Sequence, residues 1–458
     1  MAEPALWADW AWIAGRWQAS VLLEIDGGGH WSAVTAGVPP PPAARRLPGP
    51  LLPGLVNGHS HAFQRAFAGL TERREAATDD FWSWRERMYR VALRITPAQM
   101  LAVAAQLYVE LLRGGYTQVC EFHYLHHDPQ GAPYRDPATM CWALADAATD
   151  AGIGLTLLPV LYERAGFAQA APHADQRRFV GSPALIHRLV QSVPISARVN
   201  AGVAIHSLRA ASAGSVATLL RLFDGHALPI HIHVAEQARE VDDCLAATGA
   251  RPLEWLCREF SPDARWHLVH ATHATAAEID AVAASGAGIV LCPGTEANLG
   301  DGVTDLGAWL AAGVPMAIGS DSQVTRNWPE ELRWLEYGQR LVRHQRNVAA
   351  GPGQAATAAR LFDAALAGGA SCAGQARWGL VAGARADALV LDARAPALLG
   401  IPPAQRLDAL VFSAGEPALR EVMVGGEIVL RDGRHPREES IAARFSAVMD
   451  ALWVPPGG

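Results

Sequence analysis

Eight short apolar runs, each separated from the next by a stretch long enough for a helix, constrain this chain more than any other feature. They cover residues 51–61, 117–124, 153–162, 199–206, 228–236, 266–273, 287–296 and 314–321. Each is continuously apolar rather than alternating, as parallel strands covered on both faces must be. Helical patterns such as 97–113 and 276–284 lie between them. Eightfold strand–helix repetition predicts a TIM-like (β/α)8 barrel over residues 51–375. Nearly every run ends in His, Glu, Tyr or Asp. The C-terminal strand ends of such a barrel form its site, so these polar residues are expected to converge.

The flanks read differently. Strand patterns at 22–25, 388–391 and 422–430 are broken by Gly425-Gly426 and Asp432-Gly433, and prolines crowd 38–42. Residues 1–50 and 376–458 are therefore expected to build one small β-sandwich domain from both ends of the chain. With 458 residues, half of them hydrophobic, a large core is available. A formal net charge of −7 gives no basic face, which argues against nucleic acid and anionic membrane as partners. Six cysteines form no CxxC pair and read as reduced thiols. Residues 1–4 show no basic segment ahead of an apolar core, and no run reaches membrane-spanning length. A cytoplasmic protein is expected.

Chemistry concentrates at the ends of the runs. In a strand, positions i and i+2 face the same way, so His59 and His61 aim two imidazoles at one point. A second His-x-His, His231 and His233, ends the fifth run; His270 ends the sixth and Asp321 the eighth. Imidazoles and one carboxylate suit zinc, and fit iron(II) or manganese less distinctively.

The segments Pro53-Gly54-Leu55-Val56-Asn57-Gly58-His59-Ser60-His61, His233-x-x-Glu236, Val269-His270-Ala271 and Gly319-Ser320-Asp321 resemble the amidohydrolase superfamily, in its cytosine- and guanine-deaminase-like branch. The resemblance extends to Gly383-Ala384-Arg385-Ala386-Asp387 in the terminal domain. It implies metal ligands His59, His61, His233 and Asp321, with His231 a packed histidine lower in the barrel. It implies Glu236 as the proton shuttle for a metal-bound hydroxide and His270 as a group that steadies the attacking oxygen or the tetrahedral intermediate. Asp321 would share in the proton transfer while ligating the ion. Binuclear members bridge two ions with a carboxylated lysine at the end of strand four; this chain has no lysine and ends that run with His206, so one divalent ion, zinc, is expected.

Within that branch, the segments around Gln64, Phe81-Trp82-Ser83-Trp84-Arg85, Tyr124, His206-Ser207-Leu208-Arg209, Ala235-Glu236-Gln237 and Thr295–Leu299 resemble the formimidoylglutamate deiminase family of histidine degradation. The resemblance assigns substrate binding to Gln64, Arg85, Tyr124, His206 and Arg209, and implies a homodimer. It also implies hydrolysis of N-formimino-L-glutamate to N-formyl-L-glutamate and ammonia. Two carboxylates in a partly dry pocket need forked cationic donors, which Arg85 and Arg209 can supply. Two alternatives stay open: an aminohydrolase of purine or pyrimidine rings, and a metal-free scaffold on the same barrel. Trp82 and Trp84 read equally as pocket lining or as core.

Overall fold

The computed structural model describes residues 5–74, 79–167, 169, 171–416 and 418–453. The leader-free reading of residues 1–4 lies outside them. Eight parallel strands close a barrel: β1 (Leu55–Ser60), β2 (Tyr116–His123), β3 (Gly154–Leu161), β4 (Val203–Ser207), β5 (Ile230–Val234), β6 (Trp266–His270), β7 (Gly288–Leu291) and β8 (Met316–Ile318). Closure comes from β8 pairing with β1 and from β3 pairing with β4. Helices intervene throughout, including α1 (Phe81–Ala92) and α2 (Pro97–Arg113). Seven of the eight strands are buried along their whole length, β2 and β3 among them, as strands covered on both faces require.

A second sheet of eight strands is made from both ends of the chain. It contains Leu6–Ile13, Arg16–Ile25, Trp31–Thr35, Ala388–Leu391, Leu419–Val424 and Glu427–Arg431. This is the terminal β-sandwich, and it encloses its own small core of Leu6, Val21, Leu23, Trp31, Leu51 and Met423. Arg385 ties it to the barrel, donating to the Gln118 side chain at 2.8 Å and the Thr117 carbonyl at 3.1 Å while paired with Asp387 at 2.7 Å. The helix Thr357–Cys372 closes the barrel floor. A Cβ on Gly368 would lie 2.1 Å from the Met316 carbonyl oxygen, so only glycine allows so close an approach.

Of the expected runs that come out shorter, three show the local chemistry that ends them. The run 51–61 divides at Gly54: Leu51–Pro53 pairs with Ala388–Leu391 in the terminal sheet, and the barrel strand starts at Leu55. A Cβ at Gly54 would lie 2.2 Å from the Thr117 hydroxyl, so the chain crosses between sheets only without a side chain there. The run 266–273 stops at His270, whose φ of 70° leaves the strand region. The run 287–296 turns after Leu291 into the helix Pro293–Leu299, with proline in its first turn. Among the described residues no helix is long and apolar enough to cross a membrane, and the six cysteines are free thiols.

Candidate active site

His59 and His61 stand at the end of β1, His233 near the end of β5 and Asp321 just past β8. Their ligand atoms converge. The His59 Nε2 lies 3.1 Å from that of His61 and 3.0 Å from that of His233. The Asp321 Oδ1 lies 3.3 Å from His59 Nε2 and 3.4 Å from His61 Nε2. A tetrahedral ion with bonds of about 2.0–2.1 Å separates its ligand atoms by about 3.3 Å, which is the spacing seen here. The tautomers fit as well. His61 Nδ1 donates to the Phe122 carbonyl at 3.0 Å, and His233 Nδ1 donates to that of His206 at 2.8 Å. Both Nε2 atoms therefore present lone pairs, and a dry cage of facing lone pairs beside a carboxylate is a cation site. Burial lowers the His59 pKa to about 3 and pushes those of His61 and His233 down too, which keeps the imidazoles neutral as ligation requires. Asp321 is held below the usual carboxylate range; burial opposes this, but the His59 hydrogen bond and the neighbouring imidazoles outweigh it.

The backbone is bent to make this convergence. Ala235, His270, Ala271 and Asp321 all have φ between 43° and 70°, a region costly for residues with a Cβ. The Asp321 N–H donates to the His59 carbonyl at 3.0 Å, and the His61 N–H to that of Asp321 at 3.2 Å. Asn57 holds Ser320 from both sides, at 2.6 and 2.9 Å. Glu121 fixes the turn around His61, accepting from the Ser60 hydroxyl at 2.8 Å and the Ala62 N–H at 2.6 Å.

Beside the cage sit two charged groups. Glu236 Oε1 is 3.8 Å from His270 Nε2, which is 4.0 Å from Asp321 Oδ2. Burial raises the Glu236 pKa, against the pull of His270 and Arg209. For His270 burial acts downward, yet Glu236, the hydrogen bond to Glu296 and Asp321 overcome it and lift the pKa to about 10. His270 thus carries a proton beside a carboxylate that can hold one. It also stacks on His233 with ring centroids 5.5 Å apart.

One cavity takes in every expected ligand, catalytic and substrate-binding residue except His59. His61, His233, Glu236, His270 and Asp321 line it together with Gln64, Arg85, Tyr124, His206 and Arg209. Gln64 donates to the Tyr124 hydroxyl at 3.4 Å. Arg209 Nη2 lies 3.9 Å from Glu236; among the described residues Arg85 has no carboxylate within 4.0 Å. Among the described residues the Nε atoms of both arginines are buried without a partner. Trp84 lines the cavity and packs on Phe67 and Phe81, whereas Trp82 is not among the lining residues.

Sequence reasoning missed Tyr89, Tyr162 and Phe179 in the lining, and two supports behind it. Glu296 lies 3.4 Å from His270 Nδ1, and Glu240 accepts from the Ala235 and Glu236 N–H groups at 3.3 and 3.2 Å. Tyr162 and Glu296 end the third and seventh runs and were readable from the strand-end rule; Glu240, an acidic residue within a helix, carries no comparable mark. His231, lower in the barrel, donates from Nε2 to the Cys372 carbonyl at 2.9 Å. Although it lies near the thiols of Cys120 and Cys372, that nitrogen is already committed and offers no lone pair. A wider groove lined by Glu110, Arg113 and Arg326 lies elsewhere, and these charges are already paired, Arg326 with Glu110 at 2.8 Å and Arg113 with Glu438 at 2.5 Å.

A barrel with this donor set at its mouth defines a metal-dependent hydrolase, and the chain belongs to the amidohydrolase family, whose model matches residues 51–429. It is an enzyme that hydrolyses C–N bonds. Its likeness is to formimidoylglutamate deiminase: that of Pseudomonas aeruginosa is 47% identical over 98% of this chain and 99% of its own length. The crystal structure of an amidohydrolase from Brucella melitensis superposes with a TM-score of 0.93 at 41% identity, covering 99% of this chain and 100% of that one. The fold is also that of an adenosine deaminase from Xanthomonas campestris with bound zinc, with a TM-score of 0.79, 23% identity and 98% of both chains covered.

Proposed function

We propose that this enzyme converts N-formimino-L-glutamate and water to N-formyl-L-glutamate and ammonia, as a step of histidine degradation. The observation that carries the reading is the pairing of Arg85 and Arg209, both with an unpartnered buried Nε, in the cavity that has the His–Asp cage at its base. A dianionic substrate satisfies both cations at once. A neutral ring would leave Arg85 without a carboxylate and Arg209 with only its long contact to Glu236, which disfavours it.

Roles follow from position. His59, His61, His233 and Asp321 would hold one divalent ion, with zinc fitting the donor set. When bound, that ion polarises a water and brings its pKa toward neutrality. Glu236 accepts the water's proton and delivers it to the terminal nitrogen, which leaves as ammonia. His270, kept protonated and oriented by Glu296, donates to the developing tetrahedral centre. Arg85 and Arg209 grip the two carboxylates, while Gln64, Tyr124 and His206 supply neutral hydrogen bonds. A single ion agrees with the lysine-free sequence. Cytoplasmic location and a homodimer belong to the same proposal. So does the division into a catalytic barrel (51–375) and a terminal unit (1–50 with 376–458), Leu51–Pro53 pairing into the latter's sheet.

The test is ammonia release by zinc-loaded enzyme from N-formimino-L-glutamate, with adenosine, guanine and cytosine alongside and the organic product identified by mass. N-formylglutamate from the first substrate alone is the expected result. Ammonia from a ring substrate only, or formamide in place of ammonia, would overturn it.

A further inference from the structure

Trp82 stands outside the cavity but against the arginines that line it. Its ring centroid lies 4.5 Å from the Arg85 guanidinium, 4.8 Å from that of Arg239 and 5.6 Å from that of Arg209. These three cations come from three elements: Arg85 from α1, Arg209 from the loop after β4, and Arg239 from the helix Ala238–Thr248 that follows Glu236. The neighbouring Phe81 meets Trp82 edge-on at 5.1 Å and also carries Arg209 at 5.7 Å. Arg239 is largely exposed and lies 3.7 Å from Asp243. Its contact with Trp82 joins α1 to the rim of the barrel. Like-charged guanidinia repel one another, and each arginine side chain has many rotamers. An indole face, negative at its centre, attracts all three and fixes where they stand.

We infer that Trp82 is a positioning residue that sets selectivity for a substrate with two carboxylates, by holding Arg85 and Arg209 at the spacing such a substrate needs. The inference rests on the reading proposed above. Trp82 acts through the arginines, so its loss weakens binding of the dicarboxylate and leaves the chemistry at Glu236 intact. Loss of these contacts predicts a rise in KM of about tenfold for Trp82→Leu, with kcat within about threefold.

The experiment uses zinc-loaded wild type, Trp82→Leu, Trp82→Phe and Arg239→Gln. Kinetics are measured on N-formimino-L-glutamate and on N-formiminoglycine, which lacks the second carboxylate. The expected result is a raised KM for the dicarboxylate with Trp82→Leu, most of it recovered by Trp82→Phe, a smaller rise with Arg239→Gln, and little change for the monocarboxylate. Equal losses on both substrates, a fall in kcat alone, or Trp82→Phe behaving as Trp82→Leu would overturn the inference. If Trp82→Leu does not fold, Arg239→Gln and Trp82→Phe still decide it, an unchanged KM in Arg239→Gln counting against. Calorimetric titration with glutarate separates the two proposals. Glutarate binding that weakens in Trp82→Leu, without wild-type turnover of N-formimino-L-glutamate, sinks the assigned reaction and keeps the role of Trp82. Turnover with no change in either KM or glutarate affinity does the reverse.

Discussion

Glu236 is surrounded by charges that pull on its proton in opposite directions. Burial holds the proton on, His270 and Arg209 pull it off, and Glu240 fixes the backbone beneath it. The proton shuttle proposed for Glu236 must change state in each turnover, and this balance permits it. Glu236→Gln keeps the shape and removes the exchangeable proton, so kcat is expected to fall by about 10²–10⁴ while the zinc content stays at one per chain, measured by metal analysis. Glu121 answers to a different balance. Burial raises its pKa to about 8, against hydrogen bonds from Ala62, Ser60 and Tyr108. The folded-state value exceeds the unfolded one near 4.5, so between those pH values the unfolded chain ionises while the folded one stays protonated. The unfolded state then binds fewer protons, and stability declines as pH rises through this window by up to about 1.4 kcal/mol per unit. Urea unfolding at pH 5.5 and 7.5 should show a smaller decline in Glu121→Gln; an unchanged slope would rule the effect out. His59, His61 and Asp321 were legible because strand period and strand end fix where they point. Glu121 and Glu240 were not, since their role depends on which backbone groups the fold brings to them.

Elements decide how firmly those side chains are held. The start of α1 is marked by Asp80, which accepts from the Trp82 and Ser83 N–H groups at 2.9 and 3.2 Å. What the sequence left open was its placement over the mouth, because Phe81-Trp82-Ser83-Trp84 reads equally as core. Removing the cap in Asp80→Ala costs the helix about 1 kcal/mol. Arg85 rides on this helix, so a raised KM for N-formimino-L-glutamate with an almost unchanged melting temperature is expected; a change in kcat alone would contradict that link. The junction of β8 with β1 is tighter. A Cβ on Gly319 would lie 2.8 Å from that of His59 and 2.9 Å from its backbone nitrogen and oxygen. Gly319→Ala must push His59 or Asp321 away, and a zinc affinity reduced by tenfold or more, read by competition with a chromogenic chelator, is the expected outcome. The division at Gly54 was hidden for the opposite reason: an apolar run looks the same whether it lies in one sheet or passes between two.

For the molecule as a whole, the barrel and the terminal sheet meet through Arg385 and rest on the helix Thr357–Cys372, so their stabilities are coupled. The His–Asp cage joins β1, β5 and the end of β8 across the barrel, and a bound ion would clamp all three. An ion that binds only the folded chain stabilises it by about 4 kcal/mol when free metal is about a thousand times its dissociation constant. Chelator-stripped enzyme should therefore melt several degrees lower than zinc-loaded enzyme, and returning zinc should restore the transition. Two variants locate the clamp. His233→Ala removes a proposed ligand nitrogen whose tautomer is fixed by the His206 carbonyl, and should abolish the zinc-dependent shift. His231→Ala, two residues away on the same strand face, loses only a hydrogen bond to Cys372. It should lower the melting temperature of both forms alike and leave the zinc-dependent difference in place. If His231→Ala erased that difference as well, the ion would belong lower in the barrel, and the cage at its mouth would no longer account for the metal.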